Sequence, residues 1–264
     1  MPTYDYSDHV VLVTGGTSGI GRAVAEAFAE HGASVVIAAR DVDRGGSVAQ
    51  FIDGEVTFVQ VDVGKPTQIA SLVEQTVATY GGLDVAVNNA AGRTGTGKPT
   101  HAFDLEEFDA TVDVALRGVW VGMKHQIQQM LSKDESGGTI VNVSSVNGLG
   151  GAPGGSIYSA CKAGVLSLTK SAAQEYAPQG LRVNALVPGA FDTPMLQTVM
   201  QQAADAQGTD VDAVHQQYAD RSAVGRIGTP EEAAQAVLWL ASGAATYVHG
   251  HSMIVDGGTT CAVR

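Results

Sequence analysis

Eight residues constrain this chain more than any other stretch. Thr14-Gly15-Gly16-Thr17-Ser18-Gly19-Ile20-Gly21 lies between an unbroken apolar run, residues 9–14 (HVVLVT), and a segment, residues 19–31, in which Ile20, Val24, Ala27 and Phe28 recur at helical spacing. Consecutive β-branched residues, where alternation would mark a half-exposed strand, fit a strand buried on both faces. A glycine-rich turn from such a strand into a helix lets the backbone bend sharply and leaves the first N–H groups of the helix free to meet an anion. At the first strand–helix turn of an open parallel sheet, that arrangement suits the pyrophosphate of a dinucleotide. Gly15, Thr17, Ser18, Gly19, Ile20 and Gly21 are the residues expected to bind it.

The alternation continues along the chain. Residues 34–39 (SVVIAA), 56–61, 83–88 (LDVAVN), 139–144 (TIVNVS), 181–187 (LRVNALV) and 252–255 read as strands, and residues 67–80, 103–131, 156–176 and 230–241 as helices. Short connections between alternating strands and helices predict a Rossmann-type α/β fold, a doubly wound parallel sheet flanked by helices, in a single domain over residues 1–264. Residues 190–224, rich in Gln, Ala and Asp, interrupt this rhythm after Pro188-Gly189. They are expected to form a helical substrate flap, with a solvated surface helix as the alternative.

Composition removes several functions. With 44% hydrophobic and 16% charged residues in 264, the chain is not intrinsically disordered. Fifteen basic against 27 acidic residues give a net charge of −12, which repels nucleic acid phosphates and anionic membranes. No apolar run reaches membrane-spanning length, and the N-terminus carries no basic-then-apolar signal. Two cysteines, Cys161 and Cys261, fit a reducing compartment, so a soluble cytoplasmic protein is expected. His101, His125, His215, His249 and His251 have no spacing that joins cysteines or carboxylates into a metal cage, and no metal is expected.

The end of the second strand selects the dinucleotide. A carboxylate there suits the ribose 2′-hydroxyl of NAD, whereas an arginine suits the 2′-phosphate of NADP. Ala39-Arg40-Asp41 favours NADP(H), and Asp41, if it turned inward, would allow NAD(H). Asp62 and Val63 follow the third strand, where the carboxylate could serve the adenine side or cap a helix. Tyr158 and Lys162 stand at i and i+4 on a predicted helix, so an ammonium could support a phenolate and lower its pKa toward a useful acid/base range. Ser145, at the carboxyl end of the fifth strand, could hydrogen-bond the same substrate oxygen. Cys161 points from another face of that helix and reads as packing. Trp120 and Trp239 fit core or subunit contacts. Substrate contacts are expected from residues 94–100, 146–152 and 190–224, and Arg93 and Lys98 are lone cationic candidates.

In order and spacing, TGGTSGIG at 14–21, Asn88-Asn89-Ala90-Ala91-Gly92, Val143-Ser144-Ser145, Tyr158 with Lys162, RVNALVPG at 182–189 and Val255-Asp256-Gly257-Gly258 give the chain its likeness to a known family. It resembles the short-chain dehydrogenase/reductase family over nearly its whole length. The resemblance implies a seven-stranded parallel sheet and a homotetramer or homodimer. It implies Tyr158 as the catalytic acid/base, Ser145 orienting the substrate oxygen, and Lys162 binding the nicotinamide ribose while lowering the Tyr158 pKa. Asn89, Ala90 and Gly92 would line the cofactor cleft, and Pro188, Gly189 and Thr193 the nicotinamide end. The expected reaction moves a hydride between NADP(H) and a small-molecule ketone or secondary alcohol. An NAD-dependent alcohol dehydrogenase and a non-catalytic dinucleotide-binding regulator are the alternatives. One position departs from the family pattern: Ala115 stands where an asparagine usually helps hold a relay water. With Ser145, Tyr158 and Lys162 intact, a backbone carbonyl and ordered water are expected to serve instead.

Overall fold

The computed structural model describes residues 4–92, 94–132 and 137–261. Seven strands, β1 (Val10–Thr14), β2 (Ser34–Ala39), β3 (Val56–Gln60), β4 (Val85–Asn88), β5 (Gly138–Val143), β6 (Leu181–Pro188) and β7 (Ser252–Val255), form one sheet in the order β3-β2-β1-β4-β5-β6-β7. Every pairing is parallel. The consecutive apolar residues of β1 have a direct explanation. Val11 and Val13 face one buried cluster and Leu12 the other, because successive side chains leave a strand on opposite faces.

One face is covered by α1 (Gly19–Glu30), α2 (Val42–Phe51) and α10 (Pro230–Ala241), through residues such as Val24, Phe28, Val48, Val237 and Leu238. The other is covered by α3 (Pro66–Tyr80), α5 (Gly118–Leu131) and α7 (Ser156–Tyr176), through Leu72, Met123, Ile127 and Val165. No helix among the described residues is long and apolar enough to cross a membrane. The order of connection reverses between β1 and β4, and the crevice at their carboxyl ends is where an open α/β sheet takes a ligand.

Two features differ from the sequence expectation, and the segment expected to be helical is split in two. Helix α2 was not foreseen, because Gly45-Gly46 weaken its propensity. Tertiary packing compensates: a Cβ on Gly45 would stand 2.1 Å from the Phe58 ring, so only glycine lets α2 lie so close to β3. The single helix expected over 103–131 is instead α4 (Leu105–Val112), a π turn at Asp113–Arg117, and α5. The segment 190–224 holds two helices, α8 (Pro194–Gln207) and α9 (Val211–Arg221), capped by Thr193 and Asp210. They bury Met200, Ala204 and Val214 with Ile227 in a cluster of their own.

Candidate active site

The glycine turn is held from β4. Thr14 Oγ1 accepts the backbone N–H groups of Asn89 and Ala90 at 3.1 and 3.2 Å, and the Asn89 amide donates to the Thr14 and Gly15 carbonyls at 3.1 and 3.2 Å. Gly15 and Gly19 have φ of +67° and +53°, a region open to glycine. A Cβ on Gly19 would approach Thr193 Cγ2 to 2.9 Å, so Thr193 stands directly across the turn while its hydroxyl accepts the Leu196 N–H. Ser18 occupies the N-cap position of α1 without a side-chain cap bond, and the first turn carries no acid. The residues therefore form an anion cradle of backbone N–H groups, the Ser18 hydroxyl and the positive end of a helix. Thr17 is buried beneath it, and the partly buried Ile20 side chain packs against the core. Asn89 is likewise occupied in bracing the turn. Gly92 has no neighbour closer than 3.6 Å to an added Cβ.

At the end of β2, Arg40 is exposed and makes no ion pair among the described residues, while its carbonyl accepts Gln60 Nε2 at 3.1 Å. Asp41 does not turn inward. Its carboxylate caps α2 by accepting the Arg44 N–H at 3.0 Å, with Arg44 Nε 3.9 Å away. Asp62 accepts the Gly64 N–H at 3.0 Å and closes a tight turn, whereas the N-cap of α3 is Lys65. The helix-cap alternative for Asp62 therefore gives way to a turn closure. The Val63 carbonyl lies 2.7 Å from a Cβ placed on Gly118.

Ser145 follows β5, and its hydroxyl accepts the Asn147 N–H of the single-turn helix α6 (Asn147–Gly150) at 3.2 Å. Tyr158 lies in the first turn of α7, held by a 3.4 Å bond from its N–H to the Gly95 carbonyl. Lys162, 2% exposed, donates from Nζ to the Val143 carbonyl at 2.7 Å and sits 5.6 Å from the Tyr158 ring centroid. Burial pushes the phenol up to about 12, against the pull of the Ser145 hydroxyl, with Cys161 adding to the rise. Burial also brings the Lys162 amine down to about 8. The ammonium donates to a main-chain carbonyl beside the ring, and desolvation is the largest influence on the phenol. Pro188 and Gly189 end β6 against this group: the Val146 N–H donates to the Pro188 carbonyl at 3.1 Å, and the Gly189 N–H to Val255 at 2.9 Å.

Sequence reasoning missed the buried polar layer beneath the site. Asn88 exchanges hydrogen bonds with Gln126 at 2.8 and 3.0 Å and donates to Asn142 at 2.9 Å, and Asn142 donates to Thr169 at 2.9 Å. A lone asparagine in each of two apolar strands was the available signal. Cys161 packs with Ala115 and Ile157, as expected of a packing residue. Trp120 is half exposed, and Trp239 lies partly buried on the core. Lys98 is bound to Glu107 at 2.7 and 2.8 Å, which removes it as a free cation, and Arg93 lies outside the described residues.

The family model described as Enoyl-(Acyl carrier protein) reductase matches residues 15–260. The 2,5-dichloro-2,5-cyclohexadiene-1,4-diol dehydrogenase of Sphingobium indicum is 39% identical, over 97% of this chain and 98% of its own. Among solved structures, 3-ketoacyl-(acyl-carrier-protein) reductase from Brucella melitensis complexed with NADH is similar at a TM-score of 0.86 and 32% identity, covering 96% of this chain and 98% of that one. A variant of actinorhodin polyketide ketoreductase with NADPH reaches a TM-score of 0.91 at 32% identity, over 97% and 99%. The chain belongs to the short-chain dehydrogenase/reductase family, oxidoreductases that act with a nicotinamide dinucleotide on alcohols and ketones.

Proposed function

We propose that the chain moves a hydride between NADP(H) and the reacting carbon of a small-molecule ketone or secondary alcohol, with Tyr158 as the acid/base. The observation that carries this reading is the meeting of Ser145, Tyr158 and Lys162 at the carboxyl end of β5, on the same sheet edge as the glycine cradle. The cradle fits a dinucleotide: Gly15, Gly19 and Gly21 leave no room for side chains, Thr17, Ser18 and Ile20 offer N–H groups, and Thr193 faces them. Arg40, exposed and in no ion pair among the described residues, supports a 2′-phosphate, and the commitment of Asp41 to its helix cap argues against the NAD alternative. Asp62 and Val63 would serve the adenine side, Asn89, Ala90 and Gly92 the floor of the cleft, and Pro188, Gly189 and Thr193 the nicotinamide end.

When bound, the dinucleotide supplies or accepts the hydride. Ser145 holds the substrate oxygen. Tyr158, a protonated phenol near neutral pH, stands ready to donate to an oxygen that gains negative charge. Lys162 holds the ribose hydroxyls. Residues 190–224, with their separate cluster, act as the substrate flap of a single domain. Exposed Leu105, Phe108 and Trp120 on α4 and α5 support a homodimer or homotetramer, and two free thiols a cytoplasmic setting.

The test is a panel of ring and open-chain ketones and secondary alcohols, followed at the nicotinamide absorbance with NADP(H) and NAD(H). Tyr158→Phe is expected to lose roughly 10²- to 10⁴-fold in turnover while still binding NADPH. Arg40→Ala is expected to erode the NADPH preference by about tenfold or more. Full turnover in Tyr158→Phe, or an unchanged cofactor ratio in Arg40→Ala, would refute the corresponding assignment.

A further inference from the structure

Lys162 is gripped at both ends by two consecutive residues. Its ammonium donates to the Val143 carbonyl, and its own carbonyl accepts the Ser144 hydroxyl at 2.8 Å. Ser144 is 1% exposed. It faces away from Ser145, as successive residues leaving a strand do, so one serine turns to the cleft and the other to α7. Helix α6 closes the grip. A Cβ on Gly148 would stand 2.7 Å from the Lys162 carbonyl carbon and 2.9 Å from its oxygen and from the Ala163 nitrogen. These are backbone atoms, which cannot swing aside as a flexible side chain would.

We propose that Ser144 and Gly148 are positioning residues for the acid/base: they fix the backbone of Lys162 against β5 and thereby set where its charge stands relative to Tyr158. The inference rests on the roles proposed above for Tyr158 and Lys162. Moving one of two unit charges from about 4 to about 6 Å changes their interaction by roughly one pKa unit in a partly buried site, so a displacement of a single bond length or two matters. Other ionisable groups on the elements packed around the pair are Cys161, Lys170, Glu175 and Tyr176 on α7, Asp113 and Arg117, which pair with each other on the π turn, Glu106, Glu107 with its partner Lys98, and Asp109 on α4, Lys124 and His125 on α5, and Arg182 on β6. None lies on β5 or α6.

The experiment compares wild type, Ser144→Ala, Ser144→Thr and Gly148→Ala as full-length protein. One readout needs no cofactor: the titration of Lys162 by NMR of ¹³C-labelled lysine, assigned from the signal lost in Lys162→Met. In Ser144→Ala and Gly148→Ala that titration is expected to move by at least about half a unit, and Ser144→Thr, which keeps the hydroxyl, to restore it. The second readout is the pH profile of oxidation of the best secondary alcohol in the panel. Its rising limb is expected to shift up by about one unit, with turnover at neutral pH down about tenfold and KM within about twofold. An unmoved Lys162 titration with a wild-type pH limb in folded Ser144→Ala overturns the inference, whether or not Gly148→Ala folds. Tyr158→Phe keeps the two claims apart. If it is inactive while Ser144→Ala behaves as wild type, only the positioning role fails; if it retains turnover, the acid/base reading falls and this inference with it.

Discussion

The carboxamide of Asn89 ties the residue after β4 to the turn after β1, donating to the carbonyls of Thr14 and Gly15. Its nitrogen would lie 2.9 Å from a Cβ on Gly15 and 2.3 Å from one on Gly21. Any side chain at Gly21 must therefore break these bonds or displace the Gly15 carbonyl, also 2.3 Å away. Asn89→Ala and Gly21→Ala are each expected to weaken NADPH binding about tenfold or more, read from nucleotide fluorescence on titration. Because both act on the same bonds, the double variant should lose less than the product of the two. Wild-type affinity in either single variant would show that the turn holds its shape without this brace.

Arg182 carries a partly buried charge that meets no carboxylate among the described residues. On β6, it donates from both terminal nitrogens to the carbonyls of Leu240, Ala241, Ser242 and Ala245, the end of α10 and the turn after it. Burial lowers its pKa from the ordinary arginine value. The cation satisfies orphan carbonyls at the negative end of the helix dipole. Arg182→Ala is expected to cost about 3 kcal/mol and several degrees in Tm. Arg182→Lys should recover only part of this, since an ammonium cannot reproduce the planar fork. Thermal melts of the two variants decide; a melt for Arg182→Lys equal to wild type would mean that charge alone suffices.

The strands were legible because burial on both faces leaves consecutive apolar residues, as β1 and β2 do with their split between two clusters. The glycine turn was legible because its conformational demand falls on residue type. Helix α2 was not, since Gly45 and Gly46 read as a loop until the Phe58 ring beneath them is known. The π turn at Asp113–Arg117 was hidden because apolar periodicity does not register one inserted residue. At the site, the spacing of Tyr158 and Lys162 located the pair correctly. It could not foresee the acceptor at Val143, which only the pairing of α7 with β5 brings within 2.7 Å, nor how heavily burial weighs in the charge balance there.

That charge balance has a measurable consequence for stability. The Lys162 amine titrates near 8 in the fold against an ordinary 10.5. A depressed lysine pKa means that the folded chain binds fewer protons than the unfolded chain between those values, so stability rises with pH through that window. Below pH 8 the full cost of burying the charge applies, on the order of 3 kcal/mol. Lys162→Met is therefore expected to raise Tm at pH 7 by several degrees while abolishing turnover, although the orphaned Val143 carbonyl takes back part of the gain. The advantage should vanish above about pH 10.5. The raised Tyr158 pKa acts in the opposite sense, with stability lost as pH rises through about 12, and it is common to both proteins. Melts of wild type and variant across this range check the sign; equal Tm at pH 7 would refute it.

Ala115 offers the complementary test, because its surroundings suit the methyl group it carries. It is 1% exposed among Ile157 and Cys161, with Phe103, Val112 and Leu116 packed against them. It also sits inside the π turn, where the Gly118 N–H bonds back to Asp113, five residues earlier. An inserted residue leaves the helix with one more carbonyl than N–H donors at this point, so the backbone itself can offer an acceptor to a relay water, whatever the side chain. Ala115→Asn adds a carboxamide to an apolar pocket, at a cost of about 1–3 kcal/mol, and should lower Tm by a few degrees. Turnover should nevertheless stay at or above the wild-type level, because the main-chain acceptor is unaltered. The check is kcat at neutral pH measured well below the melting transition. A collapse of kcat beyond about tenfold in a variant that remains folded would mean that the site is built around the small residue, and that proton supply to Lys162 depends on a space the asparagine fills.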